Sequence, residues 1–207
     1  FSTPFDESAV DFLETLDVPA YKIASFENTD LPLIRKVAST GKPILISCGL
    51  ASLTELEETV EVLREENCSQ FALLKCTSSY PAPAENSNVA TLTDLRQRFE
   101  CEVGLSDHSL GIGVAVSAIS RGATIIEKHF TLSREDGGVD SSFSLEPSEL
   151  QLLAREGIVA WKALGTVQYG PTESEIHALS ARRSLYVAKD MQAGEILTKD
   201  NLRKVRP

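Results

Sequence analysis

The chain has 207 residues, room for one full domain and a small second one, and its 42% hydrophobic and 24% charged residues are the balance of a soluble globular protein. A formal net charge of -10 argues against a nucleic-acid surface, which needs a basic face, and no apolar run approaches the roughly 20 residues of a membrane span. The opening FSTPFDESAV lacks the basic start and long apolar core of a signal peptide.

The chain begins at Phe1 inside what reads as a clipped strand end, with Thr3 just after it. YKIAS (21–25) reads as a strand and LPLIRKVAST (31–40) as a helix. PILIS (43–47) is the next strand. The helix over 52–67 places Leu53, Leu56, Val60 and Leu63 at spacings of three and four, with Ser52 or Thr54 to cap its start. FALLKC (71–76) is a strand and 89–99 a helix. EVGLS (102–106) is a strand followed by a helix over 111–121. ATIIEKHF (123–130) is a strand, and 146–165 is a long helix with Pro147 at its start, where the missing N–H is harmless.

Strand then helix, repeated about six times, predicts a parallel sheet, and the apolar strands suit burial on both faces. A barrel and an open doubly wound sheet both fit this pattern. No GxGxxG follows a strand, which weakens the dinucleotide-binding version of the open sheet. After Gly165 the pattern breaks. Residues 166–181 read as a polar linker. Residues 182–207 read as the start of a second small domain: a strand (SLYVA), a turn at Gly194 and a short helical turn at TKDNL. About 25 residues cannot bury a core of their own, so the chain is expected to be part of a longer protein.

Cys48, Cys68, Cys76 and Cys101 have no CxxC spacing, and buried reduced thiols of a cytoplasmic protein are the expected state.

The polar residues of interest gather at strand ends. Thr3 follows the clipped strand, Lys22 lies in the first full strand with Ser25 and Glu27 after it, and Ser47 ends the next. Lys75, Thr77, Ser78 and Tyr80 end the third, Ser106, Asp107 and His108 the fourth, and Glu127, Lys128 and His129 the fifth. A parallel barrel builds its active site at that face, and helix packing does not ask for a hydroxyl, lysine or histidine at each strand end. His108 and His129 belong to consecutive units, within reach of one ion. Two neutral imidazoles with water and substrate oxygens suit a divalent metal, and two unrelated rim histidines are the alternative. Lys22, Lys75 and Lys128 with Thr3, Thr77, Ser47, Ser78 and Ser106 offer the cations and donors that a phosphate or carboxylate needs. The alternative is pairing with acids such as Glu27 and Glu127, and Lys128 suits that better because it alternates with His129. The glycine-rich stretch 135–144 carries Asp140, and either covers a substrate or is a plain connection. His177, in the linker, reads as a surface residue.

The segments STPFD (2–6), YKIAS (21–25), CTSSYPAP (76–83), GLSDHS (104–109), IEKHFT (126–131) and FSLEP (143–147), in this order, resemble the sialic acid synthase family, which makes nine-carbon ulosonic acids. Residues 182–207 resemble the start of the antifreeze-like (SAF) domain of these enzymes. GGVDSSFSLEP and CTSSYPAP are most similar to the pseudaminic acid branch, with the neuraminate and legionaminate branches as alternatives. The resemblance implies a (β/α)8 TIM barrel here lacking its first strands, and condensation of phosphoenolpyruvate with an amino sugar. It implies His108 and His129 as ligands of a divalent metal, Mn²⁺ or Mg²⁺. It places Thr3, Lys22, Ser47, Ser78 and Ser106 around phosphoenolpyruvate, Ser78 standing where family members often have Asn. It places Glu27, Tyr80 and Asp140 around the sugar and the reacting centre. Arg183 resembles an arginine lent to the partner subunit's site, which implies a homodimer. A keto-deoxy sugar acid synthase using a sugar phosphate and a carbohydrate-binding protein on an inactive barrel are the rival readings.

Overall fold

The structure, a computed structural model, describes residues 1–206. It divides into two compact units, Phe1–Gly165 and Thr166–Pro207.

The first unit carries five parallel strands: β1 (Tyr21–Ile23), β2 (Ile44–Ser47), β3 (Phe71–Cys76), β4 (Glu102–Asp107) and β5 (Ile125–Lys128). They pair in the order β1-β2-β3-β4-β5, and an isolated bridge from Ser2 to Tyr21 adds the end of a further parallel strand beside β1. A strictly sequential order has no reversal point, so this is the order of a (β/α) barrel and not of a doubly wound sheet. The curled sheet forms part of such a barrel.

Six helices accompany it: α1 (Glu7–Thr15), α2 (Leu31–Ala38), α3 (Leu53–Glu65), α4 (Thr91–Phe99), α5 (Gly113–Ser120) and α6 (Pro147–Leu164). Ser52 caps α3 in a reciprocal box, its hydroxyl taking the Glu55 N–H while the Glu55 carboxylate takes its own N–H. Pro147 opens α6 as expected. Helix α1 has no counterpart in the sequence reading. It is short, its buried residues are Val10 and Leu13, and the Asp6 side chain caps it by accepting from the Ala9 N–H.

Alternation along the strands sorts the sheet into two faces. Tyr21, Ile23, Ile44, Ile46, Leu73 and Val103 are fully buried on the face that meets the helices. Tyr21 shows the direction, since its hydroxyl donates to Glu14 of α1 at 2.6 Å. Lys22, Ser47, Cys76, Ser106 and Glu127 lie on the opposite, inner face. In register, Cys76 stands beside Ser106 and Ser106 beside Glu127.

Strand β5 is shorter than the expected 123–130. Beyond Lys128 the chain is tied to the return of its own loop: the Leu145 N–H donates to the His129 carbonyl at 2.8 Å and the Thr131 N–H to the Leu145 carbonyl at 2.9 Å.

In the second unit two expectations are corrected. The presumed linker contains a 3-10 helix, Glu173–Ala181, started by a Thr172–Glu175 capping box. The helical turn expected at 198–202 is a turn in which the Asn201 side chain accepts the Thr198 N–H. The turn leads into a strand, β7 (Leu202–Val205), antiparallel to β6 (Ser184–Val187). Gly194 has φ +94 in the connecting segment, a conformation that favours glycine.

Candidate active site

The inner face holds a polar row across four strands. The Lys22 Nζ donates to Ser47 Oγ at 2.6 Å and to the Ile23 carbonyl at 2.9 Å, and stands 3.7 Å from Glu127 Oε1. Ser106 Oγ donates to the same carboxylate oxygen at 2.6 Å. Lys22, Ser47 and Ser106 are buried. Burial pulls the Lys22 ammonium below its ordinary value, and Glu127 opposes that pull. A buried cation with two hydroxyls and only one nearby carboxylate is a place where an incoming anion gains charge-assisted hydrogen bonds.

The loops after β1, β2 and β3 meet above this row. The Gly49 N–H donates to Ser25 Oγ at 3.1 Å, and a Cβ at Gly49 would collide with the hydroxyls of Ser25 and Ser78. Glycine leaves the room that these two serine side chains occupy. Ser78 Oγ and Glu27 Oε2 are buried and find no hydrogen-bond partner among the described residues. Buried polar atoms are normally satisfied, so two orphans at strand ends point to a ligand surface. Thr3 is half-buried, one residue past the bridge at Ser2.

The two histidines continue the inner face beyond Ser106 and Glu127. Their ring centroids are 5.2 Å apart. His108 Nδ1 is 2.9 Å from the Thr77 carbonyl oxygen, which can only accept, so Nδ1 carries the hydrogen and Nε2 the lone pair. His129 Nδ1 is 3.5 Å from Asp140 Oδ2. Burial, then the neighbouring His108, pull the His129 imidazole below its ordinary value and keep it neutral. Burial pulls His108 the same way, but hydrogen bonds to Cys76 and Thr77 outweigh it. Two imidazoles, one oriented by a carbonyl and the other beside a carboxylate, fit a divalent ion that keeps open positions for water or substrate. Among the described residues no group of three or more His, Cys, Asp or Glu side chains forms a cage, so the fit is to a two-imidazole site.

Tyr80 leans over His108 with ring centroids 4.2 Å apart, and the buried Phe143 packs 5.0 Å from His129 and 6.0 Å from Tyr80. The 131–146 loop thereby brings Asp140 to the histidines. The structure gathers Lys22, Ser47, Ser106, His108, His129, Tyr80 and Asp140 in one region. Lys75 and Lys128 do not join them. Lys75 turns its ammonium onto the Cys76 carbonyl at 2.7 Å, and Lys128 pairs with Asp107 at 2.8 Å, not with Glu127. Arg183 is exposed in the second unit, one residue before β6, and His177 is exposed in the 3-10 helix. All four cysteines are free thiols.

Glu127, expected as an acid that could pair with the lysines, is the hub of the polar row. Two participants escaped the sequence reading: Gly49 and Phe143 act through packing, which leaves no local signature.

Residues 1–169 match the model of the NeuB family, and residues 182–207 that of the SAF domain. A pseudaminic acid synthase of Campylobacter jejuni is 40% identical over 207 residues, covering 100% of this chain and 60% of its own length. An N,N'-diacetyllegionaminic acid synthase of the same species is 40% identical over 209 residues, covering 100% and 63%. The chain therefore spans about 60% of the length of these relatives. Among solved structures, the N-acetylneuraminic acid synthetase of Leptospira borgpetersenii superposes with a TM-score of 0.80 at 36% identity, covering 86% of this chain and 62% of that one.

Proposed function

The chain belongs to the NeuB family, and from that premise we propose that the protein condenses phosphoenolpyruvate with an open-chain amino hexose to give a nine-carbon ulosonic acid and phosphate. The observation that carries this reading is the polar row of Lys22, Ser47, Ser106 and Glu127 lying below a pair of imidazoles. An anion site beside a two-histidine site is what a phosphoenolpyruvate condensation needs, and sugar binding alone needs neither.

We assign the acceptor to the 2,4-diacetamido-2,4,6-trideoxy hexoses of the pseudaminate branch, supported by the pseudaminic acid synthases among the relatives and by the GGVDSSFSLEP loop. The equally similar N,N'-diacetyllegionaminic acid synthase favours a second reading, an epimeric diacetamido hexose, and the N-acetylneuraminic acid synthetase a third, an N-acetyl hexosamine.

Lys22 and the hydroxyls of Thr3, Ser47, Ser78 and Ser106 hold the phosphate and carboxylate of phosphoenolpyruvate, fixing the enol face toward the acceptor. Its C3 forms a bond to the aldehyde carbon, and the aldehyde oxygen takes up a proton to become a hydroxyl. C2 is left cationic; water adds there and loses a proton. The bond from C2 to the phosphate oxygen then breaks as the C2 hydroxyl gives its proton to the departing phosphate, leaving a ketone. Glu27, whose Oε2 has no partner among the described residues, moves a proton between these groups. Tyr80 and Asp140 flank the sugar. A divalent ion, Mn²⁺ or Mg²⁺, held by His108 and His129 would supply Lewis acidity toward the aldehyde oxygen. Arg183 serves the site of a second copy of the chain.

Glu27→Gln separates chemistry from binding. Phosphoenolpyruvate affinity stays near that of the wild type while turnover falls about 100-fold or more, the usual size of a general acid–base contribution. Unchanged turnover removes Glu27 from the mechanism.

A further inference from the structure

Asp107 and Lys128 form an ion pair of 2.8 Å in which the side chains are only 2% and 3% exposed. They stand directly opposite each other in the β4–β5 register, on the face turned away from the polar row. Asp107 precedes His108 in the chain and Lys128 precedes His129. The same ammonium donates to the Ser109 carbonyl at 2.7 Å, and Asp107 Oδ1 accepts the Ser109 N–H at 2.8 Å. One buried cation thus ties the residue before His108, the residue after His108 and the end of the strand that leads into His129.

Such a pair is a weak source of stability, because the desolvation of both charges offsets their attraction. Uncharged residues of similar volume would fill the space equally well. They would not fix two strand ends at a set register and height, which a directed, doubly bonded ion pair does. The polar row offers no substitute, because its own bonds, from Lys22 to Ser47 and from Ser106 to Glu127, lie lower on the strands and on the other face.

We propose that Asp107 and Lys128 are positioning residues that hold His108 and His129 at the separation at which both bind one divalent ion. This inference rests on the two-histidine metal reading given above. It concerns how the imidazoles are presented and not which reaction follows.

The test measures Mn²⁺ affinity by electron paramagnetic resonance, with thermal melting by circular dichroism as the check on folding. The double variant Asp107→Asn with Lys128→Met removes both charges, leaves no buried ion unpaired and keeps an acceptor for the Ser109 N–H. We expect it to melt close to the wild type and to bind Mn²⁺ about 10–100-fold more weakly, as losses of ligand-orienting partners do. Lys128→Arg, which retains the pair, keeps affinity near the wild type. A folded double variant with wild-type affinity overturns the inference. Should the double variant unfold, Asp107→Asn with Lys128→Gln, which also leaves no buried ion unpaired and keeps a donor for the Ser109 carbonyl, is read in the same way. A His108→Ala protein that binds Mn²⁺ as tightly as the wild type defeats the metal reading itself and takes this inference with it. Weakened binding in His108→Ala with none in the double variant defeats the inference alone.

Discussion

The Lys22 ammonium and the Ser47 hydroxyl are 2.6 Å apart across the β1–β2 boundary, which fixes a buried cation on the inner face before any anion arrives. A cation so placed loses water that Glu127, 3.7 Å away, restores only in part, and an incoming anion adds to that compensation. Lys22→Met should weaken phosphoenolpyruvate binding by about 1.5–3 kcal/mol, roughly 10–150-fold, read by calorimetric titration. The pH dependence of stability gives a second readout. Burial holds the folded-state pKa of Lys22 below the unfolded one, so between the two values the unfolded chain binds more protons. Wild-type stability relative to Lys22→Met should therefore rise as pH climbs toward 10.5. Urea midpoints at pH 7.5 and 10 check the sign.

Tyr21 reports on the opposite face. Its hydroxyl donates to Glu14 Oε1, and burial and then Glu14 raise its pKa above the ordinary 10. The folded state keeps the proton that the unfolded state loses, so this contribution is present in full below pH 10 and fades above it. Tyr21→Phe should be less stable than the wild type at pH 7, and the gap between their urea midpoints should close as pH rises past 10.

Cys48 is a buried thiol whose burial, with Cys101 and Cys76 nearby, pushes it up to about 12. The thiolate is the reactive form, so Cys48 should resist iodoacetamide at pH 8 in the folded protein and react once urea unfolds it. Peptide mass mapping after timed alkylation reads this directly.

Gly49 separates the hydroxyls of Ser25 and Ser78, and a methyl group there has no room. Gly49→Ala should displace both serines and raise the KM for phosphoenolpyruvate by about tenfold, the loss of one good hydrogen bond, with a smaller effect on the KM for the sugar. Initial rates with each substrate varied in turn distinguish the two.

Much of this architecture was legible because its signals are local. Strand β3 has the bounds that FALLKC announced, Ser52 caps α3 as its position suggested, and the placing of hydroxyls, Lys22 and two histidines at strand ends marked the inner rim. What was not legible depends on partners remote in sequence. Alternation with His129 favoured an acid partner for Lys128, but that the partner is Asp107 is set by the β4–β5 register. Glu127 was among the acids expected to pair with the lysines, but that it serves Lys22, 105 positions away and at 3.7 Å, follows only from the curled sheet. Helix α1 was missed because two buried residues make too short a stripe, and β7 because LRKV pairs with a strand that begins 18 residues earlier.

The most direct test of the central claim is phosphate release from phosphoenolpyruvate by the full-length protein with Mn²⁺, offered two sugars separately: N-acetylmannosamine and the 2,4-diacetamido-2,4,6-trideoxy altrose. The account predicts release with the trideoxy sugar alone, abolished by a chelator and by His108→Ala. Release with N-acetylmannosamine alone would contradict the acceptor assignment, and silence with both would contradict the condensation itself.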